Sequence, residues 1–385
     1  MARLAVSGGG IAGMASALAA AQAGHEVTLF AGRSTPNLVG GVQLAPNGWA
    51  ALARLGLADR ATAVSLRLAD IMVRSLDSGS TLIRLPLHDT YASFDRAALA
   101  SCLAEALETQ TSVRVQHLNL DHIHQQAGQP HAGQVSLVTD DGASTSFDGL
   151  VAADGAAGPG RQHVAPSADP VRTSGKVAIR AQIPLAALPA GFALPSSNLW
   201  LGRGIHVVHY PIGAMMNLVV TLPADRATPG WQGRLFSTNS PLACLAKCDV
   251  ACDVEWATTP LPPAGTAGCW RRGSVVLAGE AAHSMPPHLA QGAGQGLQDA
   301  ASLRHWLGTQ DDVATAFSGY ARARAGDVAR IVRKADISGR IMGLSGPAAQ
   351  LRDIALNLGG PRLMQNWLAE VWAADPQLAS SRGGL

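Results

Sequence analysis

Short apolar runs and one small-residue helical segment alternate at the start of the chain. Residues 4–7 and 26–30 are strand-like runs, and the Ala-rich residues 14–23 between them have the pattern of a helix. A glycine-rich turn at residues 8–13 joins the first strand to this helix. The order strand, turn, helix, strand predicts a βαβ unit, from which parallel sheets covered by helices are built.

Turn sequences separate alternating apolar and polar runs in the next part of the chain. Residues 69–85 are divided by DSGS at 77–80, which predicts a hairpin. The runs 135–138 and 147–152 flank DDG at 140–142, and this arrangement predicts a second hairpin.

Successive strand patterns dominate the chain between residues 177 and 256. The runs are 178–183, 197–201, 206–211 and 216–221. Several short strands in sequence predict an antiparallel sheet. After this region, an apolar run at 274–278 precedes a glycine-rich segment that opens a long helical pattern. Residues 341–385 carry further helical patterns and end in SSRGG, a sequence typical of flexible termini.

Composition narrows the class of protein. The 385 residues include 47% hydrophobic and 15% charged residues, with a net charge of +2, which is enough for one large or two smaller cores. The sequence has no Lys/Arg run, so we expect no nucleic-acid partner. The chain begins directly in a strand pattern, and residues 14–23 are too short to span a bilayer. We therefore expect no membrane association and a cytoplasmic location.

The five cysteines do not indicate a disulfide framework, because their number is odd and the chain is long. Cys244, Cys248 and Cys252 recur every four residues and would share one helix face. A thiolate metal site is one interpretation of this spacing, but no fourth ligand lies nearby. Apolar packing is the favoured interpretation, and we predict no metal site.

Gly8, Gly10 and Gly13 fit the G-x-G-x-x-G pattern in its required strand–turn–helix context. The first glycine permits the turn, the second lets the backbone approach a pyrophosphate, and the third lets helix and strand pack closely. The acid expected at the end of the second strand is replaced by Ala31, followed by Arg33. Arg33 is a candidate for the adenosine side of the cofactor, and a 2′-phosphate of NADP is a minor alternative.

The stretch GEAAHSMPPHLAQGAGQGLQDA, residues 279–300, is the most informative part of the sequence. A buried strand leads into the acid Glu280, a Pro-Pro turn and a glycine-rich helix start. This layout can hold a polyol by its hydroxyls and an electron-rich ring at a helix N-terminus.

These motifs resemble those of FAD-dependent aromatic monooxygenases of the para-hydroxybenzoate, salicylate and 6-hydroxynicotinate hydroxylase type. The resemblance implies that Glu280, where the family usually has Asp, binds the flavin ribitol. It also implies cofactor contacts for the rest of the motif: Gly279, Pro286, Gly292, Ala293 and Gly294.

The segment GGVQLAPN at 40–47 is similar to a family segment beside the flavin ring, which places Gln43 toward the active site. Relatives that hydroxylate hydroxynicotinate carry His there, so Gln43 counts against that substrate. Asn47 is the expected N-cap of a helix over 48–55. Arg96 matches the family's Arg-x-x-Leu segment, whose arginine contacts the cofactor.

The segment ADGAAGPGR at 153–161 resembles the family's Asp-Gly motif, which supports flavin binding and is proposed to serve the nicotinamide cofactor. Asp154, Gly155 and Arg161 match this motif. Gly158 replaces the usual serine and removes a hydroxyl. Together with Ala31, it leads us to expect weaker FAD retention.

The resemblance implies an α/β fold in which a Rossmann-like FAD-binding domain of the GR2 type is interleaved with an antiparallel-sheet substrate domain, followed by C-terminal helices. The expected flavin-binding segments are 1–70, 95–170 and 268–340. The expected substrate segments are 71–94 and 171–267, and residues 341–385 form the helical end.

The implied activity is NAD(P)H- and O2-dependent hydroxylation of a small hydroxylated aromatic or heteroaromatic acid through a flavin C4a-hydroperoxide. No second G-x-G-x-x-G unit follows the first, so NADH or NADPH is expected to bind transiently. The alternatives are a flavoprotein dehydrogenase or reductase, and a degenerate flavin-fold protein without activity. We expect a monomer or a homodimer.

His206, Tyr210 and His288 are the candidate catalytic residues. Strand alternation places His206, Val208 and Tyr210 on one face and His209 on the other. Imidazole suits a general base that deprotonates a phenol. His288 would approach the same pocket from the Pro-Pro loop. Arg203 or Arg180 would hold a substrate carboxylate, and the sequence does not choose between them.

Overall fold

A computed structural model describes residues 1–33, 40–125, 134–166 and 174–373 of the chain. The strands in these ranges, numbered in chain order, are β1 Arg3–Ser7, β2 Glu26–Phe30, β3 Gly41–Leu44, β4 Ser65–Arg67, β5 Asp70–Ser75, β6 Thr81–Pro86, β7 Ala92–Asp95, β8 Val113–Gln116, β9 Leu120–Gln125, β10 Val135–Thr139, β11 Ser144–Phe147, β12 Gly149–Ala152, β13 Lys176–Pro184, β14 Ser196–Leu201, β15 His206–Ile212, β16 Met215–Pro223, β17 Ala257–Pro260, β18 Gly265–Thr266, β19 Arg271–Arg272, β20 Val275–Leu277 and β21 His283–Ser284.

The α-helices of the same ranges are α1 Ile11–Gln22, α2 Pro46–Arg54, α3 Ala58–Ala63, α4 Arg96–Glu108, α5 Pro159–Val164, α6 Trp231–Leu235, α7 Cys244–Ala251, α8 Gly292–Thr309, α9 Val313–Met342 and α10 Gly346–Trp372. Short 3-10 turns occur at Leu185–Ala187, Ala190–Ala193, Ala224–Arg226, Gly279–Ala281 and Pro287–Leu289. Among the described helices, none has both the length and the apolarity needed to cross a bilayer.

A central sheet runs in the order β19-β20-β12-β1-β2-β8. All of its pairs are parallel except the edge pair of β19 with β20. The core of this sheet is apolar on both faces, since β1 and β12 are buried almost throughout and helices cover them. The predicted βαβ unit of β1, α1 and β2 is confirmed.

The second predicted hairpin is only partly correct. β10 pairs with β11, and β11 already ends at Phe147. β12 leaves the hairpin and joins the central sheet in parallel with β1. Its four residues are all buried, so they belong between two helix layers and cannot form the half-exposed edge of a hairpin.

A second, seven-stranded sheet runs in the order β17-β13-β16-β15-β14-β5-β6. It is antiparallel apart from the parallel pair of β14 with β5. The early hairpin β5–β6 is thus built into a sheet whose other strands come about a hundred residues later. One face is covered by an apolar cluster that includes Trp231 and Phe236. The other face is covered by residues of α10 and of the loops next to the central sheet.

Two local expectations concern the helix starts and the C-terminus. α2 begins at Pro46, with Ala45 at the N-cap position, so the expected cap at Asn47 is wrong: Pro fits the first helical turn, and Asn47 lies inside it. The Asn47 side chain instead donates to Gln291 and to the Val371 carbonyl. The expected flexible SSRGG end lies outside the described residues.

Candidate active site

The first glycine-rich turn, residues 8–13, contains two glycines that cannot be replaced without strain or a clash. Gly8 has φ +109°, a conformation that side chains disfavour, and a Cβ on Gly13 would overlap the Gly8 carbonyl oxygen. Gly10, the residue before α1, is different, because a Cβ there would meet nothing within 4 Å. Among the residues that the structure describes, no side chain caps α1. Its first N–H groups are therefore open to an anion such as a pyrophosphate.

The second motif turns sharply after β20. Gly279 has φ +59°, and a Cβ on it would lie 2.6 Å from the Cβ of Ala12 in α1. The next residue, Glu280, is exposed, and its carboxylate has no hydrogen-bond or ion-pair partner among the described residues. The turn therefore presents a free carboxylate close to the N-terminal half of α1, as the binding of a polyol requires.

A buried polar network holds the turn at Gly279 in place. The sequence analysis did not predict this network. Asp299 of α8 accepts from the Gly279 N–H (2.9 Å), from His283 Nε2 (2.7 Å) and from Arg324 Nε (2.9 Å). Arg324 also donates to Gln295 Oε1 (2.7 Å). Burial alone would raise the pKa of Asp299, but the charges and hydrogen bonds of His283 and Arg324 outweigh it and hold the pKa below its ordinary value.

The start of α8 is open on one side and tightly packed on the other. A Cβ on Gly292 would meet nothing within 4 Å, and Ala293 is half-buried. Gly294 faces α2, where a Cβ on Gly48 would lie 3.3 Å from its Cα. Pro286, at the Pro-Pro turn, is buried. The glycines thus serve two purposes, close helix packing and an accessible helix N-terminus.

Asp154 caps the turn into α5. Its carboxylate accepts from the Gly160 N–H (2.9 Å) and from the Ser7 hydroxyl (3.3 Å), while burial raises its pKa. A Cβ on Gly158 would overlap this carboxyl group. The position of the Asp154 side chain therefore requires glycine at residue 158. The exchange of the family's serine for Gly158 thus makes room for Asp154 as well as removing a hydroxyl. Arg161 donates to the Ala281 carbonyl (2.6 Å) and so connects α5 to the second motif.

Gly155 and Arg33 are the remaining residues that the sequence predicted to contact the cofactor. Gly155 has φ +85°, with open space where a Cβ would be. Arg33, beyond the end of β2, pairs with Asp140 of the β10–β11 turn (2.8 Å). Asp140 also accepts from Asn119 (2.9 Å). An Arg33 already neutralised in this way is poorly suited to bind a 2′-phosphate.

Gln43 lies in a buried polar chain. Its amide donates to the Ser197 hydroxyl (2.9 Å), and its carbonyl accepts from the Tyr91 hydroxyl (2.7 Å). Gln43 therefore contacts strand β14 of the seven-stranded sheet. Arg96 begins α4 after the capping residue Asp95, and its buried Nε has no hydrogen-bond partner in the part of the chain that the structure describes. An unsatisfied buried guanidinium nitrogen indicates a missing acceptor.

The predicted facing of β15 is confirmed. The ring of His206 lies 5.1 Å from that of His288, whereas His209 lies on the opposite face, 4.9 Å from the ring of Phe192. Tyr210 belongs to the face of His206, where it packs in the cluster that α10 covers. The alternation of strand side chains therefore separates the two histidines as the sequence predicted.

His206 and His288 meet at one end of this face. A Cβ on Gly339 of α9 would overlap the His288 ring, so the glycine makes room for it. Burial, helped by the neighbouring Lys176, lowers the pKa of His288 to about 4. Burial also lowers the pKa of His206 well below its usual range, with further contributions from His288, Lys176 and Arg352. Both imidazoles are therefore neutral at pH 7.

Tyr210 does not join this pair directly. Its ring packs against Gly41, where a Cβ would lie 2.7 Å from Cε2, and burial raises its pKa. Because a strand rises about 3.3 Å per residue, His206 and Tyr210 are about 13 Å apart along β15. Asn217 accepts from the Gly41 N–H (2.7 Å) beside Tyr210. The three predicted catalytic residues thus lie on one side of the sheet, with His206 and His288 at one end and Tyr210 at the other.

Three features of the described ranges fit a flavin dinucleotide: a helix N-terminus at Gly10 without a side-chain cap, a carboxylate at Glu280 without a partner and a buried Nε at Arg96 without a partner. The fold and the site together define a dinucleotide-binding α/β oxidoreductase with a second, sheet-based domain beside the cofactor.

The comparisons with known proteins agree with this class. Residues 1–310 match the family described as FAD binding domain. The chain is 31% identical over 375 residues to 3-amino-4-hydroxybenzoate 2-monooxygenase PtmB3 of Streptomyces platensis, covering 91% of each chain. It is 29% identical over 353 residues to 3-hydroxybenzoate 6-hydroxylase 1 of Aquipseudomonas alcaligenes, covering 85% of this chain and 86% of the relative.

Two solved structures show the same fold. Klebsiella pneumoniae HpxO complexed with FAD and uric acid has a TM-score of 0.83 at 22% identity, covering 97% of both chains. A salicylate hydroxylase substrate complex has a TM-score of 0.80 at 21% identity, covering 100% of this chain and 99% of that one. The chain belongs to the FAD-binding family of aromatic hydroxylases, and it is an FAD-dependent monooxygenase.

Proposed function

We propose that the protein hydroxylates the ring of a small aromatic acid that carries a hydroxyl group, using NAD(P)H and O2. The observation that carries this proposal is the face formed by His206 and Tyr210, which lies against the loop Gly40–Gly41 on the flavin side. The names of the sequence relatives support the substrate class, since both act on hydroxybenzoates.

We infer the division of labour from the segments that build the two sheets. Residues 1–70, 95–170 and 268–340 would bind FAD, and 71–94 and 171–267 would bind the substrate. Glu280 would hold the ribitol, and the N-termini of α1 and α8 would face the pyrophosphate and the ring. The chemistry that FAD supplies is transfer of electrons from NAD(P)H to O2 and of one oxygen atom to the substrate ring.

The protein's own part is to bind, orient and deprotonate the substrate. A neutral imidazole accepts a proton, so His206 can accept the hydrogen of a phenol at pH 7, with His288 edge-on beside it. The phenolate formed then stabilises the imidazolium next to it. His206 is buried and His288 is half-buried, which limits the access of water to the reacting atoms.

The test begins with the visible spectrum of the purified protein, which should show bound flavin. A screen of hydroxybenzoates should then identify acids that accelerate NADH or NADPH oxidation. Hydroxylated product equivalent to the NAD(P)H consumed supports the proposal. Oxidation of substrate without oxygen insertion would make the protein a dehydrogenase, and a colourless protein that FAD does not reconstitute would make it a degenerate binding protein.

A further inference from the structure

Arg180 of β13 is a half-buried cation without a partner. Among the described residues its guanidinium makes no hydrogen bond and no ion pair. The buried Nε of the nearby cation Arg96 also lacks a partner within these described residues. Burial and the charge of Arg96 lower the pKa of Arg180, while Tyr210 and Glu280 oppose this effect. Two neighbouring cations with unused donors form a site that is incomplete without an anion.

The register of the sheet places Arg180 on the substrate face. Arg180 pairs with Val219, and Val219 pairs with Val208, which lies between His206 and Tyr210 on their face of β15. Its side chain turns toward the flavin-side loop, since its Cδ lies 3.9 Å from the position of a Cβ on Gly40. Arg180 therefore shares the Tyr210 end of the face, away from the His206–His288 pair.

Arg203, the other arginine that the sequence suggested, is located elsewhere. It forms an ion pair with Asp77 (2.9 Å), and the two side chains are 60% and 55% exposed. It lines an outer cavity of about 720 Å³ together with Trp231 and Ser240. Trp231 belongs to the cluster on the opposite face of the sheet. The Arg203 side chain is thus paired with Asp77 and lies on the side of the sheet opposite to the His206 side chain.

We propose that Arg180 binds the carboxylate of the aromatic substrate. This inference rests on the proposed function and assigns the two ends of the site: the acid group at Arg180 and Tyr210, the hydroxyl at His206. A planar guanidinium can bind a carboxylate through two parallel hydrogen bonds, which fixes both its position and its orientation. The distance of about 13 Å between His206 and Tyr210 along β15 gives a hydroxybenzoate room for a hydrogen bond at each end.

The test compares Arg180→Met with the matched control Arg203→Met, each as the FAD-loaded enzyme. The probes are 3-hydroxybenzoate and its uncharged analogue 3-hydroxybenzamide, with 2- and 4-hydroxybenzoate and their amides as a panel. Binding is measured through the change in the flavin spectrum. A charge-assisted hydrogen bond is worth about 1.5–3 kcal/mol, so Arg180→Met should weaken acid binding about 10- to 100-fold and leave the amide unchanged. Arg203→Met should change neither, and Arg180→Lys should recover part of the loss.

Several outcomes overturn the inference. One is equal loss of acid and amide, which indicates a structural role. Another is a fall in FAD affinity or a rise in the KM for NADH in Arg180→Met, which assigns the arginine to a cofactor. A wild-type enzyme that binds amides as tightly as acids also contradicts it. If no probe of either kind binds or accelerates NADH oxidation, the proposed function itself fails, and the two failures are thereby distinguished.

Discussion

The glycine turns around β1 and the substrate face of the seven-stranded sheet form their sites in opposite ways. In the turns, backbone geometry decides: a Cβ on Gly13 would overlap Gly8, and Gly279 leaves 2.6 Å to Ala12. On the face, side chains decide, and the backbone is ordinary sheet. His206, Tyr210 and Arg180 are on one face only because three antiparallel strands pair in one register. Positions such as Gly13 and Gly279 therefore tolerate almost no substitution. The sheet face can bind a different ligand when its side chains are substituted.

The largest effect should follow from Gly13→Ala. The added methyl group has no space, because the Gly8 carbonyl occupies it, so helix and strand must separate. We expect a loss of stability of about 4 kcal/mol or more, in the range of the most damaging substitutions, and little soluble flavoprotein. Gly10→Ala is the control, since its Cβ would meet nothing. Denaturant titration of both variants measures the difference, and equal stability would show that the close approach does not matter.

On the substrate face, His206→Ala should affect chemistry more than structure. Loss of a positioned base costs about 10²- to 10⁴-fold in rate. NAD(P)H should still reduce the flavin, so oxygen uptake should continue with release of hydrogen peroxide in place of product. His209→Leu, on the other face, is the control. Both ring nitrogens of His209 are buried and have no partner among residues 1–33, 40–125, 134–166 and 174–373, so their removal should not weaken the sheet. Wild-type coupling in His206→Ala, Tyr210→Phe and His288→Ala together would locate the pocket elsewhere.

These two regions also differ in how far the sequence could predict them. The glycine pattern predicted the βαβ unit and the second motif because Gly8, Gly13 and Gly279 each occupy a position where a side chain would be strained or would clash. The facing of His206 and His209 followed from strand alternation alone. The network of Asp299, His283 and Arg324 could not be found, since its members come from the short strand β21 and the helices α8 and α9, and no spacing in the sequence connects them. The choice of Arg180 over Arg203 needed the strand register and the ion pair with Asp77.

Variants of Asp299 and Glu280 separate two roles at the turn after β20: support of the turn and contact with FAD. Asp299→Ala removes a buried carboxylate and leaves Arg324 unpaired, which should destabilise the apoprotein by about 3–5 kcal/mol. Glu280→Ala removes an exposed carboxylate, so the apoprotein should keep its stability and lose its yellow colour. Unfolding and flavin content of both variants test this, and full flavin occupancy in Glu280→Ala would contradict the ribitol assignment.

The buried carboxyl group of Asp299 predicts that the stability of the protein depends on pH. The folded chain holds the pKa of Asp299 below its ordinary value. Its contribution to stability is therefore complete above the carboxyl pKa of the unfolded chain, about 3.9, and is lost as the pH falls through the lower folded value. Asp299→Asn should have lower stability at pH 7 and a shallower decrease at acid pH, which denaturant titrations across pH 2–7 would measure. Parallel curves for the two proteins would rule the idea out.

The smallest effect expected is a gain. The family resemblance implies that the adenosine ribose lies beside Ala31, which offers it no carboxylate acceptor. Ala31→Glu should therefore add a charge-assisted hydrogen bond of about 1.5–3 kcal/mol. Arg33 is already paired with Asp140 and should not capture the new acid completely. FAD titration of both forms should show tighter binding in the variant. Unchanged or weaker binding would mean that another residue already serves the ribose.

The interleaving of the two sheets determines when the chain can fold during synthesis. β1 pairs with β12, and β12 in turn pairs with β20, so the central sheet is completed only after residue 277 is made. At 5–20 residues per second, the ribosome needs on the order of tens of seconds between β1 and β20. Throughout this interval the nascent chain exposes unpaired strand edges. Such long-range pairing folds slowly and exposes the chain to aggregation, so this protein should depend on chaperones more than a chain of equal length whose domains follow one another.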